Sequence, residues 1–193
     1  MQKLTALIYF FCFFGVTILL TGTIFANSPC DCQSPIHPKL VTDMTPNDTD
    51  DPAIWIHPTD YEKSLILGTD KDKDGGLYVY DLKGRIIKEK TVRPLQRPNN
   101  VDVEYDLNLA GETFDIAVVT ERLTHKLRVF RLPEMTPVDG GGLEVFQGES
   151  GEEQRAVMGI SLFRRPQDGA IFAIVGRKNG PSGSYLWQYL LHD

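Results

Sequence analysis

Three stretches of this chain repeat one another: Leu77-Tyr78-Val79-Tyr80-Asp81-Leu82, Leu127-Arg128-Val129-Phe130-Arg131-Leu132 and Leu186-Trp187-Gln188-Tyr189-Leu190-Leu191. Each is a short run of aromatic and branched residues, the composition a pleated strand favours. They recur about 50 and then about 59 residues apart, a spacing that suits four-stranded propeller blades. A second apolar run precedes each one, at Ser64 to Thr69, Phe114 to Thr120 and Ala170 to Gly176. A third comes before that, at Ala53 to Ile56, Val101 to Tyr105 and Val157 to Phe163. Turn-forming groups such as Asp74-Gly75-Gly76, Lys83-Gly84 and Gln167-Asp168-Gly169 separate the runs. Fourth strands are expected at Arg85 to Val92 and Leu143 to Phe146, with none in the third repeat. No helical period stands out beyond the N-terminal run. The expected fold is all-β, a β-propeller of about three blades. A β-sandwich of unrelated strands is the alternative, and the triple recurrence argues against it. Propellers typically close with about 4 to 8 blades, and an open one leaves strand edges unpaired. The chain is therefore expected to be part of a larger ring, or to self-associate through its open blade edges.

Met1 and Lys3 lead into a near-continuous apolar run, Leu4 to Phe25, which ends at Ala26 before Asn27, Ser28 and Pro29. A basic start, an apolar core and a small residue at the break read as a signal peptide over residues 1–26. The run is long enough to span a bilayer, so an uncleaved membrane anchor is the other reading. Either way the rest of the chain is expected outside the cytoplasm, secreted or periplasmic. Residues 27–47 are rich in Pro, Ser and Asp without periodicity, and read as a tether to a domain over residues 48–193. Cys12 lies in the apolar run, and Cys30 and Cys32 have no third or fourth ligand nearby to make a zinc set. The net charge of −6 excludes nucleic acid as a natural partner, since its phosphates demand a basic face. Acid clusters suit cations such as calcium instead.

A cation occupies the same place in each repeat, just after the second run: Asp70-Lys71, Glu121-Arg122 and Arg177-Lys178. Equivalent loops of a propeller gather at one face, so Lys71, Arg122 and Lys178 are expected to converge. Three converging cations on an acidic protein call for an anion between them, and phosphate fits. Asp48-Thr49-Asp50-Asp51-Pro52 leads into the first repeat, and Asn99, Asn100 and Asp102 stand at the matching entry to the second. Both are rich in the oxygen donors that hard divalent cations take. Asp70-x-Asp72-x-Asp74-Gly75 superficially matches a helix-flanked calcium loop, yet it lies between two strand runs and reads as a solvated hairpin loop, with a weak calcium site as the alternative. His57, His125 and His192 show no ligand spacing, and no Ser-His-Asp order is present.

Five motifs in order carry a resemblance. Asp50-Asp51-Pro52-Ala53-Ile54-Trp55, Gly68-Thr69-Asp70-Lys71, Leu77 to Leu82, Asn99-Asn100-Val101-Asp102-Val103 and Phe114-Asp115-Ile116-Ala117 resemble the β-propeller phytases. The resemblance implies a six-bladed, calcium-dependent phosphomonoester hydrolase that releases phosphate from phytate, myo-inositol hexakisphosphate, of which this chain holds about three blades. It also implies that a calcium-activated water attacks phosphorus directly. By motif, Asp50 resembles an active-site calcium ligand. Asp51, with the carbonyls of Pro52 and Val101, resembles a second calcium site. Lys71, Arg122 and Lys178 resemble phosphate-binding cations. Two places depart. The family's Val-Tyr-Gly-Phe-Ser stretch reads here Val157-Met158-Gly159-Ile160-Ser161, and a thioether cannot stand in for a phenol oxygen on calcium. The family's Lys-Glu pair reads Lys178-Asn179, with a longer loop after it. A non-catalytic propeller that binds phosphorylated ligands or protein partners is the alternative function.

Overall fold

The computed structural model describes residues 36–192; the apolar run, Cys30 and Cys32 lie outside them. Residues 38–193 fall in one compact unit. Among the described residues no helix is long and apolar enough to cross a membrane.

Three antiparallel sheets follow one another along the chain. The first pairs β1 (Thr49–Trp55), β2 (Leu65–Asp70), β3 (Gly75–Tyr80) and β4 (Val92–Leu95) in sequence order. The second pairs β5 (Pro98–Leu109), β6 (Glu112–Glu121), β7 (Lys126–Leu132) and β8 (Thr136–Pro137), with β9 (Leu143–Glu144) also on β7. The third pairs β10 (Val157–Arg164), β11 (Ile171–Arg177) and β12 (Leu186–Leu191). These meanders have the blade order that the repeats predict. A short helix, α1 (Glu152–Arg155), leads into the third sheet.

Two apolar clusters hold the sheets together, and the period-2 alternation of β6 explains both. Ala117 and Val119 face the first cluster with Trp55, Leu67, Leu77 and Phe130. Ile116 and Val118 face the second with Phe146, Ile171, Ala173 and Val175. The middle sheet is thus buried on both faces, which is why Ile116 to Val119 reads as an unbroken apolar run. Each such side chain contributes about 1.5–3 kcal/mol. Strands β1 and β12 alternate instead: Ile54 of the first, and Leu186 and Leu190 of the other, are exposed.

Two local readings need correction. The fourth strand of the first sheet is Val92–Leu95, not Arg85 to Val92. Gly84, at φ 75°, turns the chain back, Ile86 makes a single bridge to Tyr80, and Lys88–Lys90 form a 3-10 turn. The stretch read as a tether is also docked in its second half. Asp43 donates its N–H to the Gly84 carbonyl at 2.7 Å and accepts the Ile86 N–H on its carboxylate at 3.0 Å.

Each sheet carries the same irregularity at its inner end. Two residues of the first strand oppose one of the second: Asp50 and Asp51 oppose Thr69, Asn99 and Asn100 oppose Thr120, Met158 and Gly159 oppose Gly176. Such β-bulges re-aim side chains. In the first two sheets the opposed threonine repairs the ladder and joins the next sheet. Thr69 Oγ1 accepts the Asp51 N–H at 3.0 Å and donates to the Asn99 carbonyl at 2.9 Å. Thr120 Oγ1 accepts the Asn100 N–H at 2.9 Å and donates to the Met158 carbonyl at 2.8 Å. Thr120 is fully buried. Thr120→Val keeps the shape and strips both bonds, so urea unfolding should show a loss of about 1–3 kcal/mol. A loss below about 0.5 kcal/mol would mean the hydroxyl holds nothing together.

Asp139 ties the outer strands of the second sheet. Burial alone would raise its carboxyl, but hydrogen bonds from Arg128 and from the Val129 and Gly141 N–H groups outweigh it and hold it below the ordinary value. A lowered folded value stabilises the fold above the usual carboxylate range and is lost as pH falls through it. Acid unfolding of Asp139→Asn should therefore be less steep below about pH 4 than that of the parent.

Candidate functional site

The residue before each predicted cation ends the second strand of its sheet, and all three are buried: Asp70, Glu121 and Arg177. Buried charges need partners, and each of these uses them to fix the loop beside it. Asp70 accepts from Asn47 Nδ2 at 3.0 Å and from the Asp48 N–H at 2.7 Å. Glu121 accepts from the Gln96 N–H at 2.8 Å and from Thr124 Oγ1 at 2.7 Å. Arg177 donates to Glu149 at 2.8 Å and to the carbonyl and hydroxyl of Ser184 at 2.9 and 2.8 Å. Its guanidinium also stacks near the rings of Phe146 and Trp187. Asp70 is thus a buried anchor inside a β2–β3 hairpin: the acidic loop is a hairpin, but its first acid is not solvated.

The three cations sit at the loop starts that these anchors fix. Lys71 lies 2.9 Å from Asp50 and 3.6 Å from Asp48. Its hydrogen bond to Asp50 pushes the ammonium above its ordinary value, against burial and aided by both acid charges. Lys178 lies 3.0 Å from Glu153. That hydrogen bond, with the Lys178 charge and smaller contributions from Asn179 and Arg122, holds the Glu153 carboxyl low. Arg122 lines a cleft of about 170 Å³ with Arg97, Leu123, Glu152, Glu153 and Ala156. Its guanidinium has no hydrogen bond and no carboxylate at ion-pair distance among the described residues. Glu153 therefore lines the Arg122 cleft and pairs with Lys178, while Lys71 rests on a separate acidic pair. The loops are joined through Arg97, whose N–H donates to the Asp72 carbonyl at 2.9 Å and whose carbonyl accepts the Arg122 N–H at 3.1 Å. Composition and spacing gave no reason to single out Arg97, since the residues it bridges are distant in sequence.

The residues grouped by resemblance as metal ligands are also neighbours. The Asp51 carboxylate accepts the Val101 N–H at 2.9 Å across the first joint. Asp50 and Asp51 are the bulge residues of the first sheet, with Pro52 opposite Gly68 just beyond. Asn99 holds the equivalent bulge position of the second sheet, and its buried Oδ1 has no hydrogen-bond partner. Met158 holds that position in the third. Carboxylates and an orphaned amide oxygen are donors of the kind calcium takes. In number they fall short: among the described residues no three His, Cys, Asp or Glu side chains converge on one point.

Blade-like antiparallel meanders, with cations and oxygen donors at matched loop positions, define a propeller-type protein. The Phytase family model matches residues 26–192, and the chain belongs to that family. It is 36% identical over 141 residues to the 3-phytase of Bacillus subtilis (strain 168), a match covering 70% of this chain and 35% of the relative. The chain thus spans about a third of the length of that curated relative.

Proposed function

We propose that this chain forms part of a phosphoric monoester hydrolase that releases phosphate from phytate with calcium as cofactor. The observation that carries this reading is the repeated cation at the end of an anchored second strand, in a chain of the phytase family. Arg122 offers a planar fork for two phosphate oxygens, and Lys71 and Lys178 add point charges. Asp50 is the ligand this chain would give to an active-site calcium, and Asp51 with Pro52 and Val101 would serve a second. When bound, the ion neutralises phosphate charge and acidifies a water. The chain's own residues grip and orient the anion. The Asp50–Lys71 pair keeps the ammonium protonated and in place while phosphate approaches. The apolar run Leu4 to Phe25 supports export, so the substrate would be met outside the cytoplasm.

Phosphate release from phytate, measured with calcium and with calcium chelated, tests the reading. Release that needs calcium supports it, and no release under either condition in protein that binds phytate overturns it. Met158 at the third bulge favours a second reading in that event: a propeller that binds phosphorylated ligands without turnover.

A further inference from the structure

Arg97 is a basic residue that the proposed role of Lys71, Arg122 and Lys178 leaves unused. It stands just before β5, where the chain passes from the first sheet to the second. Its backbone is left-handed, at φ 58°, a conformation that costs a non-glycine residue energy and collects at functional sites. Its peptide is clamped on both sides, by the Asp72 carbonyl and the Arg122 N–H. The side chain so placed lines the same cleft as the Arg122 guanidinium. Its Nε is buried without a hydrogen-bond partner, and no carboxylate lies at ion-pair distance among the described residues. The acids of the cleft are otherwise placed. Glu153 is taken by Lys178 at 3.0 Å, and Glu152 is exposed at the start of α1.

Two unpaired guanidiniums in one cleft repel each other, and a buried N–H without an acceptor is costly. The repulsion is relieved when a doubly charged oxyanion lies between them, because each fork can give parallel N–H bonds to its oxygens. We infer that Arg97 is a further phosphate-gripping residue, which acts with Arg122 on one phosphoryl group of the substrate. This rests on the phosphate-binding reading of the cationic loops. It adds to that reading a contact from the junction between sheets.

Calorimetric titration with phytate, calcium chelated, compares the parent with Arg97→Gly, Arg97→Lys and Arg122→Ala. Glycine suits the left-handed backbone, so a folding defect is avoided, and a melting temperature within a few degrees of the parent checks this. Arg97→Gly is expected to weaken phytate about ten- to a hundredfold, with a shallower dependence on salt. Arg97→Lys should recover only part of the loss, since it restores charge without the fork. If Arg122→Ala weakens phytate and Arg97→Gly does not, the inference on Arg97 is wrong and the proposed function stands. If the parent does not bind phytate either with calcium chelated or with calcium restored, both fall together.

Discussion

Arg177→Met should lower the stability of the unit by about 3 kcal/mol, the lower end of the cost of breaking a buried ion pair. Arg177 has no exposed side-chain surface, whereas its partner Glu149 is 30% exposed, so water offsets part of the loss. The methionine fills the space but leaves the Glu149 carboxylate without its cation, while the Ser184 carbonyl keeps only the Trp187 indole N–H at 3.0 Å. It also withdraws the cation from Phe146 and Trp187. For a unit of this size the melting temperature should fall by about 6–12 °C. The second arm is Glu149→Gln in the Arg177→Met background, which removes the orphaned charge and should regain part of the loss. A melting temperature within about 2 °C of the parent would show that the pair contributes nothing net. The variant should also blunt phytate binding, because Lys178 follows directly on the lost anchor.

Arg122→Ala should weaken phytate binding about ten- to a hundredfold. Lys71 and Lys178 each spend part of their charge on an internal carboxylate, Asp50 or Glu153, which a phosphate must share. Arg122 has no such competitor at ion-pair distance, so its truncation removes the least compensated positive charge of the three. Arg122→Lys separates charge from geometry and should fall between parent and alanine. Titrations at two salt concentrations check the cause: the weakening should be larger at low salt, where exposed charges are less screened. Equal affinities for parent and Arg122→Ala would remove Arg122 from the anion site.

The strands were legible because their signal is local. The apolar run Leu65 to Leu67 and the unbroken run Ile116 to Val119 each mark a strand buried in the cores. The short edge strands were not legible. Val92–Leu95 contains Arg93 and Pro94, which carry no strand pattern, and it pairs only through Leu77 and Gly75. The candidate cations were legible because they repeat at matched places. Their supports were not: Thr120 reaches Met158 and Asp51 reaches Val101 across the joints between sheets, with no local trace in composition. Arg97 was missed for the same reason. A left-handed arginine beside a proline looks like any loop residue until both loops it clamps are placed.

Asp70, Glu121 and Arg177 differ in sign and length, yet each does the same task beside a cation. The division of labour separates what keeps the loop in place from what the loop displays. Changes at 71, 122 or 178 can then redraw the charge pattern of the face one position at a time, while the strand ends stay fixed. The loops already differ: the second runs through a 3-10 turn at Arg122–Thr124 and the third through one at Ser182–Ser184, and each closes on its own buried anchor. Loops built this way can change what they display by small steps, without loss of the strand ends that hold them.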